Sequence, residues 1–244
     1  MGRPRDVALR IVTNRSTSLP TPAPTLIARP PAAVVCDMDG LLVDSERMER
    51  RAWRAAAGDH GIELSDERFA SFIGHPADEC ERMLSGYYGP AFDVPGFRDS
   101  CHRRMRAIVD AEGVPLREGA REWIDFVAGR GIPLALATSS APALVTERLG
   151  ALASAFRAVV TRADVARGKP HPDLYLEAAA RLRVAPAACL ALEDSPTGAR
   201  AALAAGMPVI VVPDLVVPPT DLAAQLVGVF DSLDAVREAA LRAW

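Results

Sequence analysis

Of the 28 basic residues in this 244-residue chain, 27 are arginine and one is lysine, Lys169. An ammonium is a compact point charge and a guanidinium a planar fork, so a single lysine in an arginine-rich chain marks a position where that difference matters. Lys169 lies in the stretch Arg167-Gly-Lys-Pro-His-Pro172. Three further groups could do chemistry: the pair Asp37 and Asp39 followed by Gly40, the hydroxyls of Thr138, Ser139 and Ser140, and the run Glu193-Asp194-Ser195. Each alone is ordinary. An Asp-x-Asp pair is often a solvated turn, and Thr-Ser-Ser or Asp-Ser-Pro often starts a helix. Together they suit phosphate chemistry. Carboxylates at Asp37 and Asp194 can hold a hard cation through oxygen ligands, as Mg²⁺ prefers. A lysine and a hydroxyl can position and neutralise phosphoryl oxygens. In an Asp-x-Asp pair, one acid can attack while the other moves a proton to the leaving oxygen and then from water.

These groups have to be brought together by the elements that carry them. Short apolar runs predict strands over 32–36, 133–137, 158–161, 189–192, 208–212 and 227–230. Helical patterns follow at 120–130, 142–149, 173–182, 197–205 and 233–243. Strands alternating with helices predict an α/β fold, a doubly wound Rossmann-like parallel sheet covered on both faces. Ligands of such sheets bind outside the carboxyl ends of the strands, and every group named above follows a predicted strand.

The stretch 45–115 breaks the alternation. It reads as four helices: one over 45–60, one from the N-cap Ser65, one from Pro76, and one over about 96–110. The expected organisation is a core of 32–44 and 116–244 with an inserted small α-helical cap domain at 45–115. Residues 1–31 carry five arginines, one acid and the stretch Ser-Thr-Ser-Leu-Pro-Thr-Pro-Ala-Pro-Thr, and they read as a disordered extension.

Composition removes several function classes. A net charge of −3 argues against a nucleic-acid binder. No apolar run reaches the roughly 18 residues that span a bilayer. Cys36, Cys80, Cys101 and Cys189 show no Cys-x-x-Cys spacing and read as reduced cytoplasmic thiols, and His60, His75, His102 and His171 show no zinc-binding spacing. The expected protein is a cytoplasmic monomer acting on a small phosphorylated metabolite.

The motifs resemble those of the haloacid dehalogenase superfamily. Asp37-Met-Asp-Gly-Leu-Leu-Val-Asp-Ser45 matches its first motif, Leu136-Ala-Thr-Ser-Ser140 the second, Gly168-Lys-Pro170 the third, and Leu192-Glu-Asp-Ser195 with Gly198 the fourth. The likeness covers about residues 33–243, and the helical insert resembles the cap of sugar-phosphate phosphatases and β-phosphoglucomutase. The resemblance implies Asp37 as nucleophile and Asp39 as general acid/base, with the Asp39 backbone carbonyl also on Mg²⁺. Thr138, Ser139, Gly40 and Lys169 would serve the phosphoryl group. Asp194 would ligate the metal, and Glu193 would support it directly, through water or through Lys169.

Within that superfamily, Asp39 implies phosphate esters over halides, because a departing halide needs no proton. Mutase relatives carry an arginine in the cap loop near Ala77 and a Lys-Asn pair where this chain has Ala141-Pro142. Both differences remove groups that grip a second phosphate, so a phosphatase is expected ahead of a phosphohexomutase, and both ahead of a non-catalytic phosphate-binding regulator. Glu46, Trp53 and His75 are the expected cap residues facing the substrate, although Trp53 suits packing within the cap equally well.

Overall fold

A computed structural model of the chain describes residues 29–72 and 77–244, with side chains in the second stretch from residue 79 onward. His75 and nearly all of the N-terminal extension lie outside the described residues. The fold is the expected α/β arrangement with a helical insert. Six parallel strands stand in the order β3-β2-β1-β4-β5-β6: β1 (Ala33–Cys36), β2 (Leu134–Ala137), β3 (Ala158–Val160), β4 (Cys189–Glu193), β5 (Val209–Val211) and β6 (Gly228–Val229). The four residues of β1 and of β2 are all buried, as a parallel sheet covered on both faces requires.

Alternate side chains of each strand serve opposite faces. Val34, Cys36, Leu134 and Leu136 pack with Trp123 and Ile124 of α5 (Ala120–Gly129), Val145 and Leu149 of α6 (Pro142–Leu149), and Val236 of α10 (Leu233–Ala243). Ala33, Val35, Ala135 and Ala137 face α7 (Asp173–Leu182) and α8 (Pro196–Ala204). The second face is built largely of alanine, so those two helices approach the sheet closely. A short helix not expected from sequence, α9 (Thr220–Ala223), precedes β6. Its four residues are too few to show a helical period.

Between β1 and α5 the chain forms α1 (Ser45–Asp59), α2 (Asp66–Ala70), α3 (Ala77–Tyr88) and α4 (Val94–Glu112). Ser65 caps α2 as expected, accepting from the Arg68 amide at 3.2 Å. The last helix starts two residues before the expected Gly96, because Asp93 caps it by accepting from the Gly96 amide at 3.0 Å and Pro95 fits its first turn. These helices enclose their own apolar cluster, with Ala56, Phe69, Phe72, Leu84 and Phe97 buried inside.

The two chain segments joining cap and core run side by side. The Asp44 amide donates to the Pro115 carbonyl at 2.9 Å, and the Arg117 amide donates to the Leu42 carbonyl at 2.9 Å. The Arg117 side chain pairs with Asp214, a buried acid in the loop after β5, and Leu215 beside it packs on the cap cluster. Among the described residues no helix is long and apolar enough to cross a membrane.

Candidate active site

The carboxyl edge of the sheet gathers side chains from four strand ends. Asp37 follows β1, and its amide donates to the Leu192 carbonyl at 3.0 Å, which fixes it beside the end of β4. Glu193 ends β4 and Asp194 follows it. Oxygens of Asp37, Glu193 and Asp194 all lie within 4.8 Å of one another, a spacing that can hold a metal ion. The lone lysine reaches into this cluster from the loop after β3. Its Nζ contacts Asp37 Oδ1 and lies 2.5 Å from Glu193 Oε1.

Glu193 is fully buried and held at both oxygens. Oε1 accepts from Lys169 and from the Tyr175 hydroxyl of α7 at 2.5 Å. Oε2 accepts from the amides of Asp194 (3.1 Å) and Ser195 (3.3 Å) and from the Ser195 hydroxyl (3.1 Å). Two glycines make the close packing possible. A Cβ at Gly198 would lie 1.8 Å from Glu193 Oε1, and a Cβ at Gly40 would lie 2.2 Å from Asp194 Oδ2. Gly40 also has φ +81, a left-handed conformation that other residues rarely adopt.

Charge is unevenly compensated here. Burial pushes the Asp37 carboxyl up to about 8, against the pull of Lys169. Burial, then the charges of Glu193 and Asp37, push Asp194 well above the usual carboxylate range. Burial also works against ionised Glu193, but Lys169 outweighs it and holds that carboxyl below its ordinary value. Lys169 in turn is raised, because Asp37 and Glu193 outweigh its own desolvation. Three buried acids share one ammonium. Burial disfavours the charged forms of Asp37 and Asp194, and an oxygen-seeking divalent cation would offset that cost.

Asp39 stands apart from that cluster. Its Oδ1 accepts from the Ser45 hydroxyl at 2.8 Å and from the Arg148 guanidinium. Its Oδ2 accepts from the hydroxyls of Ser140 (2.7 Å) and Thr138 (3.3 Å). Thr138 is fully buried, and it also accepts from the Ser140 amide at 3.0 Å. Ser139 is exposed at the same strand end, and it is Ser140 that reaches Asp39.

Sequence reasoning names Ser140 only as one of the Thr138–Ser140 hydroxyls, gives it no role, and assigns none to Ser45, Tyr175 or Arg148. Ser140 and Ser45 lie inside the quoted motifs, so their place was available there. Tyr175 lies in the first turn of the helix that follows Gly168-Lys-Pro170, outside the motif itself, Arg148 sits at the far end of α6, and an arginine among 27 carries no signal of its own.

A cleft of about 570 Å³ opens between α1, α3 and α4 of the cap and α6 of the core, and it reaches Arg148, the partner of Asp39. Glu46, Trp53, Leu84, Arg98, Met105 and Arg148 are among its walls. Trp53 packs within the cap, as its aromatic character allows. It lines the cleft and packs against Phe69, Phe72 and Phe97 at ring separations of 5.6, 5.2 and 5.6 Å. Glu46 also lines the cleft. Burial, then the neighbouring Glu49 and Asp39, push its carboxyl well above the usual range.

Comparison with known proteins places this geometry. Residues 31–206 match the family model of haloacid dehalogenase-like hydrolases. The chain is 32% identical over 177 residues to a phosphorylated carbohydrates phosphatase of Thermotoga maritima, covering 72% of this chain and 82% of that protein. It is 30% identical over 180 residues to a fructose-1-phosphate phosphatase of Escherichia coli, covering 72% and 93%. A crystal structure of a family hydrolase from Deinococcus radiodurans with bound phosphate and sodium superposes with a TM-score of 0.72 at 30% identity, over 88% of this chain and 96% of that one. A putative β-phosphoglucomutase structure from Thermotoga maritima gives 0.69 at 29% identity, over 84% and 98%. Four strand-end motifs on a parallel sheet, a helical insert after the first strand, and a family match across most of the chain agree: this protein belongs to the haloacid dehalogenase-like hydrolases.

Proposed function

We propose that this hydrolase cleaves phosphate monoesters of small polyhydroxylated metabolites, sugar or polyol phosphates, in two steps through Asp37. The observation that carries the reading is the pairing of two differently placed acids: Asp37, buried against Lys169 in the carboxylate cluster, and Asp39, held by hydroxyls and by the guanidinium of Arg148. The printed names of the carbohydrate-phosphate and fructose-1-phosphate phosphatases support the substrate class.

In the first step an Asp37 oxygen attacks phosphorus, the bond to the leaving oxygen breaks, and Asp39 gives that oxygen a proton. In the second step water attacks the phosphorus of phospho-Asp37 and gives its proton to Asp39. The phosphorus–Asp37 bond breaks, which returns the free carboxylate and inorganic phosphate. Lys169 offers three donors and pairs with Asp37 now, so it can follow the charge onto the phosphoryl oxygens. Thr138, Ser139 and Gly40 complete the phosphoryl pocket at the two flanking strand ends. Asp37 and Asp194, with the Asp39 carbonyl and Glu193 in support, would hold Mg²⁺, which when bound offsets the repulsion between carboxylate and phosphoryl charges.

Water, rather than a returning sugar, is the favoured second nucleophile. Helix α6 opens on Ala141 and Pro142 with no side-chain cap, so these two positions supply no side-chain cation or carboxamide for a second phosphate. Inorganic phosphate release from a panel of sugar and polyol phosphates, with Mg²⁺ and with a chelator, tests the proposal. Release that requires Mg²⁺ is expected. No release from any member, or conversion of β-glucose-1-phosphate to its 6-phosphate isomer as the main product, would overturn it.

A further inference from the structure

Four donors hold Asp39, and only one of them is an obligatory donor. The hydroxyls of Ser45, Thr138 and Ser140 can turn and accept, whereas a guanidinium can only donate. That group belongs to Arg148, in the last turn of α6. Val145 and Leu149 are buried against the sheet and fix the helix, so Arg148 projects from a rigid base. Its Nη1 contacts Asp39 Oδ1 and lies 3.4 Å from the Ser140 hydroxyl, so one planar group spans the acid and one of the acid's other partners. The Nε atom of Arg148 is buried without a partner. A buried unpaired donor costs free energy, so the side chain does not hold this pose to satisfy itself. The pose is explained by what its other end grips. Arg148 also lines the cleft, so its guanidinium links the cleft wall to Asp39.

We infer that Arg148 is a positioning residue that aims the Asp39 carboxyl at the leaving oxygen. This rests on the acid/base reading of Asp39 given above.

The test compares Arg148→Ala, Arg148→Lys and Asp39→Asn in the full chain, using the best sugar phosphate from the panel. Arg148→Ala is expected to lower kcat by about ten- to a hundredfold, the range for a misaimed acid/base, with KM within about threefold of the parent. Millimolar guanidinium should restore part of the kcat of Arg148→Ala, and Arg148→Lys should recover only part of it. The melting temperature reports whether Arg148→Ala is folded. A parent-like kcat, a raised KM at constant kcat (a substrate contact), or a folded variant whose lost kcat guanidinium leaves unchanged would each overturn the inference. Asp39→Asn separates the two claims. If it turns over normally, the acid/base reading itself fails. If it is inactive while Arg148→Ala is normal, only the role of Arg148 fails.

Discussion

Removing Lys169 takes the only ammonium from a cluster of three buried acids, and the consequence can be worked from the site. In Lys169→Met, Glu193 keeps its hydrogen bonds from Tyr175, Ser195 and two amides but loses its counter-charge. The folded protein then has one escape, which is to bind a proton. The ordinary value for such a carboxyl is 4.5. At about 1.36 kcal/mol per pH unit, holding that proton costs about 4 kcal/mol near pH 7.5 and about 1.4 kcal/mol near pH 5.5. That escape sets a ceiling, so Lys169→Met should lose about 3–4 kcal/mol at the higher pH and about 1–1.5 kcal/mol at the lower.

The sign agrees with the linkage. The Glu193 carboxyl is held below its ordinary value in the folded chain, so its contribution is present above that value and fades as pH falls. Adding Mg²⁺ near pH 7.5 should narrow the gap, because a cation again offsets the acids. Urea unfolding followed by fluorescence of Trp53, Trp123 and Trp244, at both pH values and with and without Mg²⁺, measures all three quantities. A gap below about 1 kcal/mol near pH 7.5, or one that does not change with pH, would refute the electrostatic account of this cluster.

Three other perturbations have defined outcomes. Gly198→Ala places a methyl 1.8 Å from Glu193 Oε1 and should destabilise by about 1–3 kcal/mol and sharply lower phosphate release, measured on the purified variant. Arg117→Met leaves Asp214 buried with Arg47 at 3.7 Å as its remaining cation, and should cost about 2–4 kcal/mol in urea unfolding. The Asp164 carboxyl is held down at about 2, first by the Thr161 hydroxyl and then by Arg181, so its contribution is present above its ordinary 3.8 and lost as pH falls toward 2. The stability gap between parent and Asp164→Asn should therefore shrink across that window in acid titrations.

Much of this site was legible in the sequence because parallel sheets put chemistry at strand ends. Apolar runs as short as Ala33–Cys36 and Leu134–Ala137 mark the buried strands, and the polar residues after them meet in space. Asp37, Lys169, Glu193 and Asp194 come together for that reason. Elements without a period were not legible: α9 has four residues, and β6 has two against the four expected. Within the hydroxyl cluster, the choice between Ser139 and Ser140 depends on how the backbone turns after β2, which spacing alone does not show. Arg148 is reached only through the fold, since it lies 109 residues from Asp39 along the chain.

In the proposed mechanism the phosphoryl group leaves its ester for Asp37. Rapid acid quench during turnover of a sugar phosphate, followed by peptide mass spectrometry, tests it most directly. One phosphoryl group is expected on the peptide containing Asp37, formed within the first turnover and absent from Asp37→Asn, which is expected to fold without turning over. Steady phosphate release by Asp37→Asn, or a phosphoryl group found on another residue, would contradict it.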